Sequence, residues 1–193
     1  MNQSLNDGQR AEQLFKTVAH NQGWNVTPAS RAHNMHKHID FDLQVNGKTV
    51  SFDVKARKRE SRQMQQQDTW HAIEFVGVTY PVTNIVHFKS EAFDPLNPVF
   101  TLGSGRAGWV YGEATYIAFE CDVLFAIVKR EQLIHHCALH VNFANRVKHS
   151  SEAKYKVYSR YGRGDLVTYI NVQDLYHLAV AKWYKPISMK TED

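Results

Sequence analysis

Near the N-terminus apolar residues recur at helical spacing. Ala11, Leu14, Phe15, Val18 and Ala19 form one stripe, which predicts a helix that opens at an Asn6 or Asp7 N-cap and closes at Gln22-Gly23. Trp24 to Pro28 reads as a short strand, and Ala29 to Lys37 as a polar loop. Two alternating runs follow, Ile39 to Val45 and Lys48 to Ala56, and the Asn46-Gly47 between them is the strongest short-range hairpin signal. Beyond a Gln-rich loop, Met64 to Gln67, strands are predicted at Trp70 to Val78, Val110 to Tyr111, Tyr116 to Phe119 and Val123 to Val128. A helix from Arg130 to about His140 comes next, then strands near Tyr155 to Ser159 and Leu166 to Ile170, then a helix from Val172 to about Ala181. Pro81 to Pro98 is a long irregular connection.

A two-residue turn fixes the hairpin register by arithmetic, because Val45 then opposes Lys48 and every cross-strand pair sums to 93. Leu43 faces Val50, Phe41 faces Phe52 and Ile39 faces Val54, so one face is apolar and belongs to the core. The other face sets Asp42 opposite Ser51, Asp40 opposite Asp53 and His38 opposite Lys55. Directly opposed carboxylates have Cβ atoms roughly 4.5 to 5.5 Å apart and repel unless something offsets them. A divalent cation would do so, since Mg²⁺ prefers carboxylate oxygens, water and substrate phosphate. An ammonium at Lys55 beside such a site can hold a water or stabilise charge on a phosphate.

Composition places the chain among folded domains rather than disordered ones, with 43% hydrophobic and 12% aromatic residues. No repeat or long linker divides it, so a single domain over residues 1–193 is expected, with a core over about 8–140 and a basic extension over about 141–193. The apolar runs are too short to span a membrane, and Met1 to Asp7 has no signal-peptide character. Two cysteines, Cys121 and Cys137, fit a reducing compartment, and a soluble cytoplasmic protein is the expectation.

Charge narrows the partner. Lys and Arg number 23 against 19 acidic residues, and the excess is clustered at Lys55, Arg57, Lys58, Arg59 and Arg62, and again from Arg146 through Lys148, Lys154, Lys156, Arg160 and Arg163. Phosphate binding by such clusters gains affinity through counterion release, so nucleic acid is the expected partner.

The constellation resembles the PD-(D/E)xK nuclease superfamily. It reads Ile39-Asp40-Phe41, a tight turn, then Phe52-Asp53-Val54-Lys55, with Glu12 on the first helix at the place of that superfamily's helical Glu. The segments Trp70 to Glu74, Gly108 to Gly112 and Arg160 to Asp165 resemble parts of bacterial and phage members. The resemblance is close over residues 8–56. It implies an α/β, restriction-endonuclease-like core, a central mixed β-sheet flanked by helices in the order α-β-β-β-α-β. It further implies that Asp40, Asp53 and the Val54 carbonyl hold Mg²⁺ or Mn²⁺, that Lys55 orients the water, and that Glu12 binds the metal through water or aligns Lys55. Asp42 points the same way as Asp40 and is the alternative ligand, although the register favours Asp40. The activity implied is metal-dependent phosphodiester hydrolysis by a DNA endonuclease of restriction, repair or junction-resolving type. The alternative is a nucleic-acid-binding protein with a silent nuclease fold. A symmetric dimer would suit the cutting of two strands. Arg57, Lys58, Arg59, Arg62 and His38 are the candidate nucleic-acid contacts.

Other chemistry is weaker. His33, His36 and His38, or His135, His136, Cys137 and His140, form no regular zinc spacing. No phosphate-binding G-x-x-x-x-G-K-[ST] is present, and Gly103 to Gly108 lacks the strand-to-helix context of a dinucleotide site. Trp70 and Trp109 are expected to be structural. Glu74, at the middle of an apolar strand, needs a basic partner or a place at the metal site.

Overall fold

The computed structural model describes residues 3–57, 69–77, 93–98, 106–160 and 164–186, with side chains from Asp7 onward. In chain order the elements are α1 (Gln3–Asn21), β1 (Val26–Pro28), α2 (Arg31–Lys37), β2 (Phe41–Val45), β3 (Lys48–Lys55), β4 (Trp70–Gly77) and β5 (Arg106–Ala107), followed by β6 (Tyr116–Glu120), β7 (Leu124–Lys129), α3 (Arg130–His140), β8 (Asn142–Val147), β9 (Lys156–Tyr158), β10 (Leu166–Asn171), α4 (Val172–Leu178) and β11 (Ala179–Tyr184). The protein is thus α/β with mixed sheets and, among the described residues, four α-helices. By backbone contacts it divides into two compact units, Met1–Thr69 with Glu113–Arg130 and Val172–Asp193, and Trp70–Gly112 with Glu131–Asn171.

The first unit holds a six-stranded sheet in the order β1-β2-β3-β6-β7-β11. β3 and β6 run parallel, and the other neighbours are antiparallel. α1 lays its stripe on this sheet, and Ala11, Phe15, Val18 and Ala19 are fully buried. Phe15 is the hub, its ring centroid 5.4 to 5.6 Å from those of Phe41, Phe52, Phe125 and Trp183. The helix closes as expected: Gly23, at φ +82°, donates to His20, and Trp24 donates back to Ala19, a left-handed C-terminal cap that favours glycine. It opens earlier than the Asn6 or Asp7 cap, at Gln3.

The hairpin register is observed as derived, with Phe41 paired to Phe52, Asp42 to Ser51, Leu43 to Val50 and Val45 to Lys48. Asn46 and Gly47 both have positive φ, 49° and 75°, as a type I′ turn requires. The ladder stops at Phe41–Phe52, so the expected pairs Ile39–Val54, Asp40–Asp53 and His38–Lys55 are not made, and the Asp40 N–H donates instead to the Phe52 carbonyl. The segment before the hairpin is α2, not the expected loop. Ser30 caps this helix by accepting from the His33 N–H, and His38 ends it at φ 52°. α2 buries no residue, and without an apolar stripe its helical pattern is invisible to periodicity.

The second unit carries a five-stranded sheet, β5-β4-β10-β9-β8, with β8 and β9 parallel. Phe75 is fully buried there, its ring 5.9 Å from that of Phe93 and 5.0 Å from that of Phe143. Val110 and Tyr111 lie in a 3-10 turn rather than a strand. The last predicted helix ends at Leu178, and Ala179–Tyr184 is an edge strand pairing with β7. Its alternation is real, with Trp183 turned inward to Phe15 and Phe52, but it follows α4 with no turn residue to separate them. β5 and β8 were not anticipated. The connection from β3 to its parallel neighbour β6 contains, among the described residues, β4 and β5 instead of the helix that the α-β-β-β-α-β order implies. No helix among the described residues is long and apolar enough to cross a membrane. The Gln-rich loop, most of Pro81 to Pro98, Gly103 to Gly105, Arg163 and the basic residues Lys58, Arg59 and Arg62 lie outside the described residues.

Candidate active site

One residue before the β2 ladder begins, the Asp40 N–H donates to the Phe52 carbonyl at 2.8 Å, and the Asp40 carbonyl accepts from Ala29. This pins Asp40 against β3. Its carboxylate accepts the Val54 N–H at 2.6 Å through Oδ2, and the Asn34 side-chain amide at 2.5 Å through Oδ1. Asp40 is therefore not a free ladder residue. It caps the end of β3 with its side chain, held from the other side by α2.

Asp53, at 1% exposure, points to the face opposite the α1 core. Its two oxygens bind two different cations: Lys55 Nζ lies 2.7 Å from Oδ1, and Arg130 Nη2 lies 3.2 Å from Oδ2. Arg130, the first residue of α3, is itself buried and donates from Nε to the Ala114 carbonyl at 2.8 Å. Ser51, next along this face, accepts the Thr115 N–H at 3.0 Å. Around Ser51 and Asp53 the polar face of the hairpin is thus a packed layer, whereas Gln44 and Thr49 nearer the turn are exposed.

The expected ionisable set comes together. Burial, and then the charge of Asp53, push the Asp40 pKa up to about 7 against the opposing pull of the Val54 N–H and Lys55, and Glu12 adds to the rise. Glu12 is also raised, by burial first, with Lys55 opposing and Asp53 adding. Glu12, Asp40, Asp53 and Lys55 are therefore within electrostatic reach of one another. Three carboxyls, Glu12, Asp40 and Asp53, lie near two cations, Lys55 and Arg130, so full ionisation of the set leaves one negative charge in excess. Asp42 sits opposite Ser51, as the register requires.

Of the basic run beyond Lys55, Arg57 lies among the described residues, and it is engaged by acids. The Arg57 N–H donates to Glu120 Oε2 at 3.1 Å, and its guanidinium lies 3.4 Å from Asp122. Glu120 is fully buried at the end of β6 and also binds Arg10 through both carboxylate oxygens, at 2.8 and 2.6 Å, and Lys185 at 3.1 Å. Burial pushes its pKa up, yet these partners outweigh burial and hold it below its ordinary value. Sequence reasoning missed Asn34, Arg130, Arg10, Glu120 and Lys185. Glu120 carried a signal, a charged residue closing an apolar strand, which is costly unless paired. Arg130 carried none.

The remaining candidates are placed elsewhere. His38 is the left-handed C-cap of α2, its N–H donating to the His33 carbonyl. In the second unit, Glu74 finds the basic partner it required, Arg160 at 3.1 Å, which also pairs with buried Asp165. His136 and His140 bring their rings to 4.4 Å on α3, and burial pushes the Cys137 thiol up to about 12. Trp70 and Trp109 are half-buried, with Trp70 packed on Tyr155 and under Lys154. Among the described residues no group of three or more His, Cys, Asp or Glu side chains is arranged to hold a metal ion. No family model matches the chain, and neither the curated proteins nor the solved structures give a match.

Proposed function

We propose that the chain is a metal-dependent nuclease that hydrolyses phosphodiester bonds in nucleic acid, with DNA the favoured substrate, and that its first unit is a variant of the restriction-endonuclease-like core. One observation carries the reading: Asp40 is fastened by its side chain to the strand that bears Asp53 and Lys55, and Glu12 is coupled to all three. The packing of α1 on a mixed sheet, with the hairpin next to a parallel strand, supports the fold assignment.

The donor set fits Mg²⁺ or Mn²⁺. Mg²⁺ keeps several waters and takes one or two carboxylates plus substrate phosphate rather than an all-protein cage, so Asp40 and Asp53 suffice without a third side chain. In an extended strand a residue's C=O points to the same edge as its N–H. The Val54 carbonyl therefore faces the edge on which Asp40 sits and can serve as a further ligand. The excess negative charge left by full ionisation of the set is what a cation would neutralise. When bound, the cation supplies charge neutralisation at the scissile phosphate and acidifies water.

The chain's own residues do the rest. Lys55, fixed on Asp53, holds the attacking water and offsets negative charge building on the phosphate. Glu12 aligns Lys55. Arg130 keeps Asp53 in one rotamer by occupying its second oxygen. No covalent intermediate is needed. Supercoiled, linear, branched and single-stranded DNA, and RNA, incubated with Mg²⁺, Mn²⁺ or EDTA, test the reading: cleavage that EDTA stops supports it, and intact substrates under every metal condition overturn it.

A second reading, nucleic-acid binding by a silent nuclease fold, is favoured by the burial of Asp53 and the occupation of both its oxygens by cations. Retarded migration of DNA without cleavage in the same panel would select it.

A further inference from the structure

α2 buries no residue, and a helix this short is not stable in water by itself. Without an apolar stripe it needs other ties. Ser30 Oγ accepts the His33 N–H at its start, and the Asn34 amide donates to the Asp40 carboxylate at 2.5 Å. At its end the Lys37 carbonyl accepts the Glu113 N–H at 2.7 Å, and Lys37 Nζ lies 2.7 Å from the Glu113 carboxylate. The ties place beside Asp40 a helix that adds nothing to the core.

The face that α2 turns to Asp40 is cationic. Residues three apart share a helix face, so Asn34 has Arg31 one turn before it and Lys37 one turn after it. The two cations bracket the contact with Asp40, about 9 Å apart along the axis. Arg31 is exposed, and the Lys37 side chain is 39% exposed. No Asp or Glu occurs between Glu12 and Asp40, so α2 brings positive charge to the site and no acid of its own. The charges that shift the Asp40 carboxyl are those of Asp53, Lys55 and Glu12, so the cations of α2 are not there to balance it.

We propose that α2 grips the nucleic-acid strand beside the candidate site, with Arg31 and Lys37 holding the backbone phosphates on either side of the scissile one. This rests on the nuclease reading for the identity of the polymer and for the place of the scissile phosphate. A guanidinium fork matches phosphate oxygens, and an ammonium adds a point charge. The exposed Lys37–Glu113 pair is of a kind that contributes little, so a phosphate displaces Glu113 at small cost. Such contacts position the strand without reading bases, and Asn34 keeps the helix aligned with Asp40.

The test is binding of a short DNA duplex in EDTA at several salt concentrations, so that cleavage plays no part. Arg31→Gln/Lys37→Gln is compared with the charge-keeping Arg31→Lys/Lys37→Arg, and with Lys16→Gln/Lys48→Gln, which removes equal charge from exposed positions on α1 and at the hairpin turn. The first variant should bind at least about tenfold more weakly near 0.1 M salt, with a salt slope flatter by about two, one for each lost contact. The other two should stay close to wild type, and all three should melt near it. Equal slopes in the first and third variants, an equal loss in the charge-keeping variant, no binding by wild type, or competition by polyglutamate as strong as by DNA would overturn the proposal. A flattened slope without any cleavage by wild type in Mg²⁺ would leave the α2 contact standing and remove the nuclease. Cleavage with an unaltered slope would do the reverse.

Discussion

Arg130 Nη2 lies 3.2 Å from Asp53 Oδ2, and both side chains are more than nine-tenths buried. The strand that was to offer a carboxylate to a metal thus already has a fixed counter-charge of its own, contributed from the start of a helix 77 residues away. Breaking a buried pair by removing one partner strands the other charge, at a cost of roughly 3 to 5 kcal/mol, whereas replacing both can be nearly neutral.

The first prediction follows from that asymmetry. Asp53→Asn should abolish the proposed cleavage and lower stability by several kcal/mol, because buried Arg130 loses the charge of its Asp53 partner. Asp53→Asn with Arg130→Met recovers much of the lost stability without recovering activity. Urea unfolding of the two single variants and the double variant gives the coupling. Additive losses would mean that the pair is not an energetic unit.

Lys55→Met separates chemistry from folding. Lys55 is partly exposed, at 23%, so its loss should cost less stability than that of Asp53 while removing the ammonium proposed to hold the water. Cleavage should fall by at least about a hundredfold, with a smaller drop in melting temperature than for Asp53→Asn. Retention of activity within a few-fold would remove Lys55 from the site.

Much of this geometry was legible in advance, and the reasons differ by element. The hairpin register follows from a two-residue Asn-Gly turn and a period of two, both local and rigid, and the Phe41–Phe52 and Asp42–Ser51 pairs are as derived. α1 was legible because its stripe is continuous. α2 was not, because it is held by the Ser30 cap and a polar lattice to Asp40 rather than by burial. Nor were Arg130 and Glu120, whose roles arise from contacts made across the fold and leave no spacing in the chain. The expected helix overran into the start of β11, Ala179–Ala181, because Val172 to Ala181 is apolar enough for either, and pairing with β7 makes these residues strand.

Asp40 gives the pH dependence. Its folded pKa is raised to about 7 from an ordinary 3.8, by burial first and then by Asp53. For an acid shifted upward, the stabilising contribution of the protonated form is complete below about pH 4 and is lost as pH rises through about 7. At about 1.4 kcal/mol per unit the loss is on the order of 4 kcal/mol. Asp40→Asn mimics the protonated group, so it should be more stable than wild type above pH 7 and close to it near pH 4. Melting temperatures across pH 4 to 9 check this, and parallel curves for the two proteins would refute the assignment.

Glu120 anchors α1, the segment after β3 and the segment after β11 at one buried point. Glu120→Gln removes the carboxylate charge that Arg10 and Lys185 share. The cost should be roughly 3 to 5 kcal/mol. Arg10→Gln should cost less, since the Arg10 side chain is 42% exposed and Lys185 and the Arg57 N–H still satisfy Glu120. Denaturant unfolding ranks the two, and the opposite ranking would show that the network does not centre on Glu120.

The last prediction discriminates between Asp40 and Asp42 as the cation ligand. Both alternate to the same side of β2 by sequence, and it is the Asp40 carboxylate that accepts the Val54 N–H and is pushed up by Asp53. Asp42 faces Ser51. In calorimetric titration with Mn²⁺, Asp40→Ala should lose detectable binding, whereas Asp42→Ala should stay within a few-fold of wild type. Proton release supplies a second signature. Cation binding must deprotonate Asp40, so at pH 6 wild type should give up close to one proton per Mn²⁺, read from the dependence of heat on buffer ionisation enthalpy, and far less at pH 8.5. Equal proton release at both pH values, or loss of binding in Asp42→Ala alone, would move the site two residues along the strand and away from the carboxylate that burial and Asp53 together hold near neutrality.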